Sequence, residues 1–169
     1  SKINEEALTI LKDNTSMELV LDFGTGLGRN HEYLKSLFKK VNGYDIPSMI
    51  SRGAELEIDI DLYSSDWEVL SKEKYDLVYE CVCFQHVDIE ELRSKLTDIA
   101  SISKYLYINS RSYNDTNRNF SSATGGYNIA KTIIDLNLFS VEYADIDLDT
   151  AITLLDETHY QILFKSNNY

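Results

Sequence analysis

Short apolar, β-branched or aromatic runs punctuate the chain at ELVLDF, KVNGYD, AELEID, YDLVYECVCF, KYLYINS, LFSVEYADI and HYQILFK, and most of the stretches between them repeat apolar residues at helical spacing. That alternation predicts an α/β sandwich around a largely parallel sheet. Ile3, Ala7, Leu8 and Leu11 give the N-terminal stretch an amphipathic face. Leu34, Leu37 and Phe38 share one face of residues 30–40, which close in two lysines suited to a helix C-terminus. The clearest helix start is VDIEEL: Asp88 caps, Glu91 completes a capping box, and Val87 and Leu92 form a hydrophobic staple. Ile129, Ile133, Ile134 and Leu136 predict a further helix over residues 127–136. LFSVEYADI and HYQILFK are joined by an acidic segment with no clear helical pattern, which predicts an antiparallel pair at one sheet edge.

Length adds that residues 1–169 suffice for one domain with a single core. No run approaches the roughly 20 apolar residues of a membrane span. The opening SKINEEALTI lacks the basic start and apolar stretch of a signal peptide, so a soluble, cytoplasmic protein with no membrane contact is expected. Cys81 and Cys83 lie two apart in an apolar run and read as small buried hydrophobes rather than a metal or redox pair. Asp145, Asp147 and Asp149 lack the glycine and terminal glutamate of a calcium loop and read as a solvated face, so no metal site is expected. A net charge of −12 opposes a polyanionic partner and disfavours nucleic acid. Residues 109–126 form a polar, turn-rich connection, long enough to suggest a functional loop.

Candidate chemistry concentrates in LDFGTGLGRN, where a strand-like run with one acid, Asp22, leads into Gly24, Gly26 and Gly28. At the carboxyl end of a parallel strand such a turn removes Cβ atoms that would block a ligand. The dinucleotide fingerprint puts its third glycine three residues after the second, a position held here by Arg29. No Gly-Lys-Ser or Gly-Lys-Thr follows to make a P-loop.

The turn resembles motif I of the class I S-adenosylmethionine-dependent methyltransferases, an acid, any residue, then G-x-G-x-G, matched by Asp22, Gly24, Gly26 and Gly28 with Phe23 and Thr25 between them. The next elements arrive in that family's order. VNGYDIPSMI resembles the second motif, which makes Asp45 the acceptor for both ribose hydroxyls and places Ile46 and Met49 beside the adenosine. EIDID resembles the end of the third strand, implying Asp59 as acceptor for the adenine amino group and Ile60 as a pocket wall, with Asp61 a rival while the register is open. YDLVYECVCFQHVD resembles the fourth-strand segment, with Asp76 and His86 in the family's places and Glu80 and Cys81 beside the methionine part of the cofactor. The Pro-Gly-Gly turn usual before the fifth strand is replaced by SISK. The resemblance implies a three-layer Rossmann-like fold with a seven-stranded mixed sheet in the order 3-2-1-4-5-7-6, the last strand antiparallel. It implies S-adenosyl-L-methionine as cofactor and methyl transfer to an oxygen or nitrogen of a small-molecule acceptor.

On this reading Gly24 and Gly26 leave room for the cofactor and Gly28 permits close helix packing. His86 and Glu80 are the candidate catalytic groups. His86 is either a base for a hydroxyl acceptor or a packing element, and Asp22 either meets the cofactor or only bonds the turn. Asn42 and Gly43 also permit a hairpin. Arg111 and Arg118 either clamp an anionic acceptor or are solvated loop charges. Tyr33, Tyr44, Tyr63, Tyr113 and Tyr127 are candidates for lining a substrate pocket. Two alternatives stand beside methyl transfer: aminopropyl transfer on the same fold, with Glu80 at an amine pocket, and a binding subunit without turnover. The pattern specifies neither the acceptor nor an oligomeric state.

Overall fold

The computed structural model describes residues 2–112, 127–153 and 158–169. Among them seven strands form one sheet in the order β3-β2-β1-β4-β5-β7-β6. The strands are β1 (Leu19–Phe23), β2 (Lys40–Tyr44), β3 (Tyr63–Ser64), β4 (Tyr75–Cys81), β5 (Ser103–Ser112), β6 (Phe139–Ala144) and β7 (Thr158–Ser166). The pairings among β1 to β5 are parallel, and β7 runs antiparallel to both β5 and β6. The helices are α1 (Glu5–Asn14), α2 (His31–Leu37), α3 (Pro47–Glu55), α4 (Trp67–Leu70), α5 (Ile89–Ile102), α6 (Ile129–Asp135) and α7 (Leu148–Ile152). None of the helices among the described residues is long and apolar enough to cross a membrane.

Side chains alternate across the sheet, and both faces are covered. Val20, Leu77, Tyr79 and Tyr107 pack beneath Ala7 and Leu11 of α1 and Leu34 of α2. Leu21, Val78, Leu106 and Ile108 pack against Leu92, Leu96 and Ile99 of α5 and Ile129 and Ile133 of α6. Burial on both faces explains why β4 and β5 read as nearly continuous apolar runs rather than alternating ones.

Several boundaries differ from expectation for local reasons. Residues 54–59 are not the third strand. Pro47 opens α3 at its first turn, the helix continues to Glu55, and β3 forms later beside Gly43 and Tyr44. Gly53 makes this possible: a Cβ there would lie 2.1 Å from the Tyr63 hydroxyl, so only glycine lets β3 approach α3 so closely. The helix of residues 30–40 stops at Leu37, and Lys40 already opens β2. Asp88 caps α5 by accepting from Glu90 N (3.2 Å), whereas Glu91 pairs with Lys95 (3.2 Å). SISK forms no turn, because α5 runs to Ile102 and β5 begins at Ser103. The acidic connection before β7 contains α7, capped by Asp147, which accepts from Thr150 N (3.1 Å). The asparagine-glycine pair sits inside parallel β2 rather than in a hairpin. Of residues 109–126, the first four belong to β5, while Tyr113 and Arg118 lie outside the described residues.

Candidate functional site

The glycine turn leaves β1 and is tied to the end of β2, with Gly24 N and Thr25 N both donating to Tyr44 O (2.8 and 3.0 Å). It borders a cleft of about 500 Å³ at the carboxyl ends of β1, β2 and β4. Of the residues expected at the site, Gly24, Thr25, Gly26, Asp45, Ile46, Met49, Cys81 and His86 meet there, whereas Asp22, Phe23, Gly28, Asp59, Ile60 and Glu80 do not line it. Leu27, Arg29, Val82, Cys83 and Val87 complete the lining. None of those five was singled out as a site residue from the sequence. Only Arg29, one step beyond the last glycine, had a positional signal.

The three glycines have distinct duties. All have positive φ: 80° at Gly24, 55° at Gly26 and 85° at Gly28. A Cβ on Gly24 would lie 2.3 Å from Cys83 Sγ and 2.5 Å from Cys83 Cβ. Gly24 therefore lets the turn interlock with the chain leaving β4, beyond the expected role of leaving cofactor room. A Cβ on Gly26 would meet only Met49 Cε at 3.5 Å and Asp45 Oδ2 at 4.0 Å, so this glycine holds cleft space open. Gly28 packs as expected, but against Ile58 and Ile60 of the connection to β3, away from the cleft lining.

Asp45 stands at the carboxyl end of β2. Its Oδ2 accepts from Gly26 N (2.6 Å) and its Oδ1 from Ile46 N (2.7 Å). These two bonds aim the carboxylate, and each oxygen retains a lone pair for a further donor. That arrangement suits a vicinal diol. Ile46, 57% exposed, and Leu27, 40% exposed, place unusually bare apolar surface on the same rim, as a ligand's flat ring would need. Behind them, Tyr63 donates its hydroxyl to Gly26 O (2.6 Å) and Met49 O (3.1 Å), bracing the cleft wall rather than lining it.

Asp22 is buried under the turn, with neither carboxylate oxygen hydrogen-bonded, and the buried Thr25 hydroxyl is likewise without a partner. Burial pushes the Asp22 carboxyl up to about 6, opposed by the nearby Thr25 hydroxyl and the Arg29 guanidinium. Arg29 reaches across the cleft to Cys81 Sγ, 3.8 Å away. Orphaned buried polar atoms are rare in native proteins and point to a missing donor. An anion, a cation and apolar walls around one cleft fit a zwitterionic nucleoside derivative such as S-adenosylmethionine. Phe23, on the opposite face of β1 from Asp22, packs edge-on against Phe84 (5.1 Å between ring centres) and has no place in the cleft.

Glu80 also departs from its expected place. It is fully buried on the α5 side of the sheet, where Oε2 accepts from Cys83 N (2.7 Å) and Phe84 N (2.9 Å) and Oε1 accepts from Asn109 N (3.2 Å). It touches neither the cleft nor any amine pocket, so it is corrected from cofactor contact and catalytic candidate to an internal anchor. Burial pushes its carboxyl up to about 7, although the Phe84, Cys83 and Asn109 amides pull it back. Beyond it the chain makes a short 3₁₀ turn, Phe84–His86. His86 is exposed at the cleft edge, with Nε2 3.4 Å from Gln85 Nε2.

The remaining expected residues lie elsewhere. Asp59, its side chain 95% exposed, faces Lys35 at 3.9 Å and is removed from the cleft by the late start of β3. Ile60 is buried beneath Gly28 instead of forming a pocket wall, and Asp61 accepts from Val41 N (2.9 Å). Asp76 works at the other end of the sheet, accepting from Glu18 N (2.7 Å) and Leu19 N (3.1 Å). Arg111 N donates to Gln85 Oε1 (3.1 Å). Tyr33 accepts from Ile3 N (2.9 Å), and Tyr44 packs on Phe23 and Trp67. Tyr127 donates to Phe84 O and Val87 O (2.9 and 2.8 Å).

Comparison with known proteins bears on the whole arrangement. The family described as "Methyltransferase domain" matches residues 21–104, about half the chain and the part that carries the cleft. No curated protein matches significantly. Among solved structures, TehB from Haemophilus influenzae superposes with a TM-score of 0.63 at 19% identity, over 98% of this chain and 63% of that one. The N-methyltransferase NodS from Bradyrhizobium japonicum gives 0.62 at 15% identity, over 95% of this chain and 92% of that one. Magnesium protoporphyrin IX methyltransferase from Synechocystis, with bound S-adenosylmethionine, gives 0.59 at 17% identity, over 96% and 77%. At these identities the superpositions show the shared fold. The family match, which spans the glycine turn and Asp45, makes the chain a member of the class I S-adenosylmethionine-dependent methyltransferases.

Proposed function

We propose that this chain transfers the methyl group of S-adenosylmethionine to an oxygen or nitrogen of a small-molecule acceptor. The observation that carries the reading is the Asp45 carboxylate, aimed by Gly26 N and Ile46 N into a cleft framed by a glycine turn. Asp45 accepts the ribose hydroxyls, and Leu27, Ile46 and Met49 supply apolar walls for the adenine. Arg29 attracts the carboxylate of the cofactor's amino-acid end, and Asp22 with Thr25 faces its ammonium. When bound, the cofactor supplies a methyl group already activated by a positive sulfur, so the protein's share is alignment and exclusion of water. Val82, Cys83 and Val87 provide the water-excluding side. His86 at the rim takes the proton of a hydroxyl acceptor.

A small acceptor is supported by the net charge of −12, which repels polyanions, and by likeness to NodS and the protoporphyrin enzyme. Withdrawal of Glu80 into the core removes one of the two features that favoured aminopropyl transfer, the other being the chain's overall acidity. Calorimetry with S-adenosylmethionine and its decarboxylated analogue tests the reading. Tighter binding of the intact compound is expected, whereas preference for the decarboxylated form would turn the assignment to aminopropyl transfer.

A further inference from the structure

Val82 adopts φ of 56°, a left-handed conformation that a β-branched residue enters only at a cost. Such a conformation persists only where its surroundings over-determine it, and here they do. Val82 N donates to Asn109 O (2.8 Å). The two following amides, Cys83 N and Phe84 N, converge on Glu80 Oε2 (2.7 and 2.9 Å), and Asn109 N binds Oε1 (3.2 Å). The Tyr127 hydroxyl holds the far side of the same turn through Phe84 O and Val87 O. The bend delivers Cys83 against Gly24 and puts Val82, Cys83, His86 and Val87 on the cleft.

We propose that Glu80 is a positioning residue for cofactor binding: its carboxylate holds residues 82–87 on a strained path that closes the cleft against the glycine turn. The inference rests on the cofactor reading of that cleft. A carboxylate here is a poor choice for stability alone. Burial raises its carboxyl to about 7, so three amide bonds offset its desolvation only in part, and a neutral side chain of the same shape would cost the fold less. What a neutral amide cannot do is accept at both oxygens. Glu80→Gln keeps one acceptor for Cys83 and Phe84 but turns an N–H toward the Asn109 amide.

The test uses wild type, E80Q, V82G and E80Q/V82G, with amide hydrogen exchange at Cys83 and Phe84 and calorimetric binding of S-adenosylhomocysteine, all at 15 °C and about pH 8.5, where Glu80 is ionised. E80Q is expected to stay folded, to exchange those two amides at least about tenfold faster, and to bind the ligand at least about tenfold more weakly. Glycine at 82 removes the left-handed penalty but also an apolar cleft wall, so E80Q/V82G is compared with V82G, and the affinity lost on E80Q should be at least about threefold smaller there. Faster exchange with affinity unchanged would make Glu80 merely structural and overturn the proposal, as would unchanged exchange or an E80Q loss as large with glycine at 82 as with valine. If E80Q does not fold, recovery of a folded, ligand-binding E80Q/V82G supports the proposal, and failure of both overturns it. Wild type that does not bind S-adenosylhomocysteine would sink the cofactor reading itself, and the exchange rates would then decide the role of Glu80 in shaping the turn.

Discussion

Replacing Gly24 by alanine tests the interlock between the glycine turn and the end of β4. Two costs arise. An alanine at φ 80° pays about 1–2 kcal/mol for its left-handed backbone. Its Cβ would also stand 2.3 Å from Cys83 Sγ and 2.5 Å from Cys83 Cβ, an overlap that rotation of the thiol cannot relieve because the Cβ is fixed to the backbone. Overpacking of this kind costs about 1–3 kcal/mol. The sum, about 2–5 kcal/mol, is a large share of the 5–15 kcal/mol typical of a domain. Urea denaturation of G24A, C83A, C83G and both double variants separates the two parts. C83G removes both overlapping atoms and should recover the second part, giving a coupling of at least about 1 kcal/mol in the double-mutant cycle. C83A keeps the Cβ and should recover little. Additive behaviour of G24A and C83G within about 0.5 kcal/mol would refute the interlock.

Asp45→Ala should weaken S-adenosylhomocysteine binding by about 1.5–3 kcal/mol, the scale of hydrogen bonds to a charged group, with Asp45→Asn between the two; calorimetry that finds unchanged affinity in a folded variant removes Asp45 from the site. Asp59→Ala should leave that affinity within about twofold, because its carboxylate lies away from the cleft. Glu80 ionises in the fold near 7 against 4.5 when unfolded, so its contribution to stability is fully present below about 4.5 and lost as pH rises through about 7. Relative to E80Q, wild type should therefore lose about 3 kcal/mol of unfolding free energy between pH 4.5 and 8, and parallel profiles would contradict the raised value.

Much of this was legible in the chain itself. Strands buried on both faces leave long apolar runs, so β4 and β5 stood out, and the glycine spacing separated the turn from dinucleotide and phosphate loops. Asp45 was found because an acid at a strand end is a local, chain-ordered feature. The third strand was not, because β3 is only Tyr63–Ser64 and its position depends on Gly53 admitting Tyr63, a contact between separate segments. Asp59 and Ile60 were misplaced along with it. Glu80 failed for a subtler reason: it sits one residue from Cys81, and strand alternation sends the two to opposite faces. Val82 carries no sequence signal at all, since nothing about a valine announces a left-handed bend. The three tethers on the 82–87 turn are visible only once β5 and the segment before α6 are in place.

If the cleft beside Asp45 and the glycine turn binds the sulfonium cofactor and its product, thermal unfolding with S-adenosylhomocysteine will distinguish wild type from Asp45→Ala. At a ligand concentration 100 times the dissociation constant, binding should stabilise the wild-type fold by about 2.7 kcal/mol, a rise of about 5–10 °C in Tm for a domain of this size. The variant should show a much smaller rise at the same concentration. A wild-type Tm unmoved by millimolar S-adenosylhomocysteine would contradict the account.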